Sequence, residues 1–573
     1  MTETFTPAER AALAPYFTNL DGPVFALRNL PEVVKGALFA RYSRSPKSLR
    51  RLFLDEFVNV GGGEAPPPTS PRFTPDATAR AFHLETPAGE APPATSPADA
   101  RGATAHESHR LAQPGTGRAE QLYERVFVEY GDDSVAQLGG VHLACEGASN
   151  LLTKVLEWGR LMAYLEQSTR YVPYDDRPGG RFRYHVPAEL EGPLRERYVA
   201  TLDRAFETYA AWLPRLRDFF AARFPRAAGD SESVHRMTIR AKALDTLRGL
   251  LPAATTSNVG IYGSGQAWEN LLLRMRAHPL AEVRTCADRI LAELRQVIPA
   301  FLRRVDAPDR GGAWSAYLVA TREATREAAD RVLAGVEPEP RPEVTLTDFD
   351  PEGEIKVVAA ALYAVSDLPD DQLLAVARRM SPADRAAVLA AYVGKRGNRR
   401  HKPGRALERT AYRFDILTDY GAFRDLQRHR LLTVEWQRLT PRHGFTVPEE
   451  IDEAGAGDDW RRVMEASAAL HDAIEAAGLP EVASYAVAMA YRVRFYLDLN
   501  AREAMHLIEL RTAPQGHPTY RRVCQAMHRL IAEQAGHRAI AEAMAFADHS
   551  EVALERLEAE RAAERRRGGP PAP

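Results

Sequence analysis

Apolar residues recur at steps of three and four along most of this chain. Leu151, Leu152, Val155, Leu156, Met162 and Leu165 follow that rhythm and predict one apolar helix, with 166–176 as its exit and following loop. The same period runs through 193–223, 264–304, 457–478 and 517–563 and predicts helices there. Short runs of β-branched and aromatic residues predict strands at 24–28, 181–186 and 344–348. The fold class expected from these elements is helix-rich α+β.

Two stretches interrupt the pattern. Residues 61–118, from "GGGEAPPPTSPRF" to "QPGTG", are rich in Pro, Ala, Gly, Thr and Ser and offer few large apolar groups to bury, so a disordered insertion is expected. "EPEPRPE" at 337–343 reads as a linker, and the tail "RRRGGPPAP" as frayed. A weak self-similarity flanks the linker. "VFALRNLPEVVKGALFARYSRSPKSL", starting at Val24, shares its plan with "VTLTDFDPEGEIKVVAAALYAVSDLPDDQL", starting at Val344: an extended apolar start, a turn with proline, then an Ala/Leu helix. Two tandem copies are therefore expected, residues 1–336 and 337–573.

Composition narrows the function classes. A chain of 573 residues with 45% hydrophobic content can build real cores. No run approaches a membrane span, and the N-terminus shows no signal-peptide pattern, so a cytoplasmic protein without membrane partners is expected. Cys145, Cys286 and Cys524 have no metal-ligand spacing, and three cysteines make no disulfide framework, so no metal site is expected. Of the 75 cationic side chains only seven are lysine, yet 77 acids bring the formal charge to −2. Without a net positive charge, nucleic acid is a poor candidate partner.

Candidate chemistry then rests on placed arginines. At the end of the first apolar segment stand Glu166, Ser168, Thr169, Arg170 and Tyr171, followed by Pro173, Asp175 and Asp176. An arginine and a hydroxyl two residues apart on irregular backbone can grip a phosphate. The plainer reading is a capped helix end with Arg170 paired to an aspartate. Arg248 precedes the proline of "LRGLLP", and Arg274, Glu282 and Arg284 lie in "LLLRMRAHPLAEVR". In the second half, "LQRHRLLTVEW" sets Arg428, His429 and Arg430 among Leu426, Leu431, Leu432, Val434 and Trp436. That setting implies partial burial, and a buried guanidinium needs an anionic or dipolar partner. "DLNAREAMHLIELRTAPQGHPTYR" spaces Asn500, Arg502, His506 and Arg511 as on a helix.

These residues resemble the flavin-dependent thymidylate synthases, with the family's motifs divided between the halves. The family signature is R-H-R-x-x-S followed by an S-x-R-Y step, an arginine ahead of an L-P turn, and an N-x-R helix ending in L-R. The first half keeps Glu166, Ser168, Thr169, Arg170 and Tyr171, the L-P arginine as Arg248, an L-R arginine as Arg274 and a later acid as Glu282, but has Trp158, Gly159 and Arg160 in place of R-H-R. The second half keeps Arg428, His429 and Arg430, with Thr433 for the serine and Arg438, Leu439, Thr440 and Pro441 in place of S-x-R-Y, and retains Asn500, Arg502 and Arg511. Upstream of R-H-R the family's acid and polar residues are matched in part, by Glu408 and Ser134.

The resemblance implies two tandem copies of that family's fold, pairing into a homodimer that imitates the family's tetramer. It implies FAD as cofactor, NADPH and methylenetetrahydrofolate as co-substrates, and methylation of dUMP to dTMP. Glu166, Ser168, Thr169, Arg170, Arg248 and Arg274 would bind dUMP. Arg428, His429, Arg430, Asn500, Arg502 and His506 would hold FAD, and Arg511, Arg428 and His429 would serve catalysis. The rival expectation is a catalytically silent homologue that binds nucleotide or flavin in a structural or regulatory role.

Overall fold

The computed structural model describes residues 3–58, 137 and 139–568; the 61–118 segment, Ser134 and the last five residues of the tail lie outside them. Two four-stranded antiparallel sheets organise the chain. The first has the order β1-β2-β4-β3, from Val24–Leu27, Gly140–Ser149, Thr256–Ser264 and Met162–Glu166. The second repeats it as β5-β6-β8-β7, from Val344–Phe349, Ala411–Asp419, Arg492–Asn500 and Thr433–Trp436.

The central strands of both sheets run straight into helices. Ser149, Ser264, Asp419 and Asn500 each end a strand, and each side chain accepts the backbone N–H three residues on, capping the helix that follows. Each cap therefore fixes the angle at which a helix leaves its sheet. In β6 and β8, Tyr412, Phe414 and Ile416 pair with Leu499, Leu497 and Phe495, and all six are buried. The alternate positions, Arg413, Asp415, Tyr496 and Asp498, are half-buried, as period-2 geometry requires.

Helices cover the sheets. Pro518–Glu533 packs on β5 and β6, Ala281–Leu294 on β1, and the long helices Gly192–Arg223 and Gly457–Ala476 pack on each other. One hydrophobic core runs through both sheets, with Trp268 and Trp460 among its largest buried side chains. Full burial of such groups contributes about 1.5–3 kcal/mol each. A smaller cluster around Phe17, Phe25, Leu49 and Phe53 seals the N-terminal segment.

The two sheets are tied by backbone. After the short 3-10 turns Arg248–Leu250 and Ser484–Ala486, the chain segments pair antiparallel through a bridge between Pro252 and Ala488. Ala253 N donates to Val487 O at 2.8 Å, Met489 N to Leu251 O at 2.9 Å and Ala490 N to Gly249 O at 3.0 Å. Such reciprocity is what a two-fold arrangement of like segments produces.

Several expected elements take another form. The apolar run that follows Ser149 is not one helix: Asn150–Leu156 is helical, but Met162–Glu166 is the edge strand β3. Residues 181–186 form no strand and carry only an isolated bridge between Tyr184 and Thr255. The 264–304 segment is two helices, Gly265–Arg276 and Ala281–Leu294, parted at His278 and Pro279. The 517–563 segment breaks after Glu533, because Gly536 takes a positive φ of 73° that no helix accommodates. Strands β1 and β5 and the helices near 193–223 and 457–478 stand where the pattern places them.

Candidate active site

The site is assembled where the loop after helix Asn150–Leu156 meets the loop after helix Tyr420–Leu426. Trp158 Nε1 donates to Val434 O at 3.3 Å, Arg160 to Thr433 Oγ1 at 2.9 Å and Gln427 to Lys154 O at 3.0 Å. Arg430 donates to Met162 O. Trp158-Gly159-Arg160 and Arg428-His429-Arg430 thus occupy matching positions and face each other.

At the end of β3, the fully buried Glu166 carboxylate accepts from Arg424 at 2.9 Å, from Arg428, and from Lys154 at 3.4 Å. Burial alone would raise its carboxyl, but Lys154, Arg424 and Arg428 hold it well below the ordinary range. Lys154 also pairs with buried Glu157 at 2.6 Å. Arg170 chelates Asp245 through Nε at 2.7 Å and Nη2 at 2.6 Å, and donates to Tyr520 Oη at 3.1 Å. The aspartate partner anticipated for Arg170 is present, and it comes from helix Glu232–Leu247.

Asp425 is the meeting point. Arg248 Nη1 lies 3.3 Å and Arg511 Nη1 3.8 Å from its two oxygens. Burial pushes the Asp425 carboxyl up, yet Arg248, Arg511, Arg428 and Arg170 together hold it far below its ordinary value. Four guanidiniums, two from each side of the 337–343 connection, therefore act on one carboxylate. Gly421 makes room for this: a Cβ there would stand 3.0 Å from Arg248 Nε.

In the ion-paired network Lys154, Arg170, Arg248, Arg424, Arg428 and Arg511 face Glu157, Glu166, Asp245 and Asp425. Six cations against four carboxylates leave a surplus of two positive charges. Burial pushes up the carboxyls of both Glu157 and Asp419, the latter also near Arg248. Among the described residues, three buried donors of this network have no hydrogen-bond partner: Arg248 Nη2, Arg424 Nε and Arg428 Nε. Buried donors of that kind are costly unless a ligand meets them.

Behind this network His429, 7% exposed, links two further groups. Arg511 Nε lies 3.0 Å from His429 Nε2, and Glu503 Oε1 3.0 Å from Nδ1. The His506 ring is 5.4 Å from that of His429. Burial lowers both histidines, His506 to about 4, so both rings are neutral. Burial raises Glu503 to about 7 against the pull of Lys402, Arg502 and Arg430. Glu503, His429 and His506 are close enough to one another to hold a metal ion. The cations Lys402, Arg399, Arg502 and Arg511 around them oppose a bound cation and favour an anion.

Other expected residues sit at the margin. Ser168 Oγ accepts from Arg170 N at 3.2 Å, and Thr169 is buried beside it. Asn500 spends its carbonyl oxygen on the N–H of Glu503 at 2.9 Å, which is the ordinary cap. Arg502 donates to Pro403 O at 3.0 Å and to Glu408 at 3.3 Å. Among the described residues Arg274 joins no carboxylate, and it lies over the Trp158 ring at 5.4 Å. Counted from the caps Ser264 and Asn500, Met275 rather than Arg274 stands at the position of Arg511. Glu282 accepts from Ser149 Oγ at 2.6 Å and Tyr485 Oη at 2.6 Å, tying the sheets together outside the arginine network.

Sequence reasoning missed Asp425, Asp245, Arg424, Lys154, Glu157, Glu503 and the basic loop with Arg399 and Lys402. Asp425, Arg424 and Lys154 carried a usable signal, being charges inside short apolar helices; Asp245 and Glu503 read as ordinary helix acids.

Comparison with known proteins gives the same picture. A family model described as thymidylate synthase complementing protein matches residues 92–300 and again residues 345–536. A UPF0159 protein of Chlamydia muridarum (strain MoPn / Nigg) is 36% identical over 559 residues, covering 97% of this chain and 98% of the relative. A UPF0159 protein of Thermoplasma acidophilum is 30% identical over 483 residues, covering 79% and 93%. A flavin-dependent thymidylate synthase of Mycobacterium sp. (strain JLS) is 31% identical over 182 residues, covering 31% of this chain and 67% of the relative. Among the described residues no helix is long and apolar enough to cross a membrane.

Proposed function

The chain belongs to the flavin-dependent thymidylate synthase family, and from that premise we propose that it methylates dUMP to dTMP with FAD, NADPH and methylenetetrahydrofolate. The observation that carries this reading is the convergence of Arg170 and Arg248 with Arg428 and Arg511 on Asp425, with two positive charges unmatched. A phosphomonoester at neutral pH carries about −1.5 to −2, which balances that surplus. Arg248 Nη2, buried and without a partner, is the donor such a phosphate would meet first. Glu166, Ser168, Thr169 and Arg170 would line the same place, and Arg274 would lie at its edge.

The residues also fit a flavin. Arg428 Nε is buried without an acceptor, and among the described residues Arg430, Lys402 and Arg399 pair with no carboxylate, so the anionic parts of FAD would find donors there. Arg428, His429, Arg430 and His506 would hold it, with Asn500 and Arg502 at the rim. When bound and reduced by NADPH, the flavin would supply the hydride that leaves the transferred one-carbon unit as a methyl group. Arg511 would donate to the uracil carbonyl, where negative charge grows as the ring reacts, and so lower that barrier. The buried, arginine-lined setting strengthens each of these bonds by excluding water.

The two matched segments are read as tandem copies of the family fold, 1–336 and 337–573, each giving half of a shared site. The repeated strand order and the Pro252–Ala488 pairing support that reading. Two such chains would form a homodimer in the cytoplasm. A second reading, a silent nucleotide- or flavin-binding homologue, is favoured by one observation: Arg170 is already chelated by Asp245, and Arg502 already donates to Glu408. The absorbance of the purified protein separates the two. A bound flavin that NADPH bleaches, and that dUMP with methylenetetrahydrofolate reoxidises to yield dTMP, supports the enzyme. A colourless protein that takes up no added FAD overturns it.

A further inference from the structure

Glu503 is 5% exposed, lies behind the arginine network, and among the described residues has only His429 within salt-bridge distance. It sits in the first turn of helix Ala501–Arg511, its N–H held by Asn500, and its carboxylate turns to His429 Nδ1 at 3.0 Å. The other ring nitrogen faces Arg511 Nε at 3.0 Å. A guanidinium has donors only, so Nε2 must present its lone pair, and the single proton of the neutral ring sits on Nδ1. That N–H then donates to Glu503. The bonds run in one direction, Arg511 to His429 to Glu503.

We propose that Glu503 is a positioning residue that selects the Nδ1–H tautomer of His429 and, through that ring, aims Arg511 into the arginine cluster. With Nε held by the imidazole, Nη1 of Arg511 lies 3.8 Å from Asp425 and the guanidinium plane is fixed. In the opposite tautomer the ring N–H would face the Nε–H of Arg511, two donors with no acceptor between them, and Arg511 would swing away. The same geometry disfavours a metal at this trio, since the Nδ1 proton occupies the space between ring and carboxylate. What Arg511 does once aimed rests on the proposed function; the tautomer does not.

The test uses the full chain with 15N-labelled histidine, at pH 8, and the two-bond 1H–15N correlations of the His429 ring, assigned by difference from His429→Gln. The Nδ1–H pattern is expected for the parent and for Glu503→Asp, which keeps an acceptor. Glu503→Met, whose side chain offers Nδ1–H no comparable acceptor, is expected to show the Nε2–H pattern in a substantial part of the population and to bind dUMP about tenfold more weakly by titration calorimetry. A parent ring protonated on Nε2, or a folded Glu503→Met ring unchanged from the parent, overturns the proposal. So does a flipped ring with undiminished dUMP affinity. A parent that binds no dUMP refutes the proposed function instead, and the tautomer alone then decides the role of Glu503.

Discussion

Arg424 donates to Glu166 across 2.9 Å although 258 residues separate them in the chain. Arg428 donates to the other carboxylate oxygen, and Lys154 approaches it at 3.4 Å. One buried carboxylate thus holds three cations from both sides of the 337–343 connection. Glu166→Gln leaves those cations around a neutral amide, and the loss of one partner of a buried ion pair costs about 3–5 kcal/mol. A lower urea midpoint is expected. An unchanged midpoint would show that the cluster adds nothing to stability.

Arg248 and Arg428 are expected to separate the two ligands. Arg248→Ala removes the buried donor that has no protein partner, at about 1.5–3 kcal/mol for a charged hydrogen bond, or roughly 10- to 100-fold in dUMP affinity, with flavin still bound. Arg428→Ala is expected to abolish flavin retention or its reduction by NADPH. Arg170→Ala should raise the dUMP requirement while flavin remains, and should also free Asp245. Titration calorimetry and the flavin absorbance band report each effect; variants that all match the parent would dismiss the assigned roles.

Gly421 offers a subtler perturbation. Its added methyl in Gly421→Ala would meet Arg248 Nε and Asp419 Oδ1, each at 3.0 Å, so the guanidinium must shift by a few tenths of an ångström. Alanine itself favours the helix by about 0.5–1 kcal/mol. Weaker dUMP binding without a fall in melting temperature is therefore expected. Equal affinity would mean that the position of Arg248 is not critical.

Glu503 gives stability a pH dependence of known sign. Its carboxyl lies at about 7 in the fold against an ordinary 4.5, because burial outweighs Lys402, Arg502 and Arg430, with His429 and His506 neutral beside it. The folded state therefore binds a proton that the unfolded state has released. That contribution is full below pH 4.5 and is lost as the pH rises through 7. Glu503→Gln should remove about 1–3 kcal/mol of this decline, read as the difference between urea unfolding at pH 5 and pH 8.

Tyr485 serves as a control away from the arginines. Tyr485→Phe deletes its 2.6 Å hydrogen bond to Glu282 and should cost about 1–2 kcal/mol in unfolding free energy. Nucleotide and flavin binding should not change, since Glu282 lies outside the network. A loss of dUMP affinity in this variant would tie Glu282 to the site after all.

Much of this architecture was legible in residue order, and the misses have physical causes. Helices 192–223 and 457–476 were plain because long amphipathic periods survive any context. Strand β3 was misread since Met162 and Leu165 continue the spacing of the helix before them, and only edge pairing to β4 decides otherwise. Strands β6 and β8 alternate cleanly and could have been found by period 2. Arg424 was missed, whereas Arg170, Arg248, Arg428 and Arg511 were found by motif. Their carboxylate partners were not, because a charge such as Asp425 acquires meaning only when Arg170, Arg248 and Arg511 arrive from distant segments.

The antiparallel pairing of 249–254 with 485–490 is made of main-chain bonds, so truncating a side chain there removes none of them. The connection at 337–342 is solvent-exposed and carries no part of the site. A protease that severs it should therefore leave two fragments that stay clasped in one particle, migrate together on a sizing column, and still offer the four guanidiniums to an incoming anion.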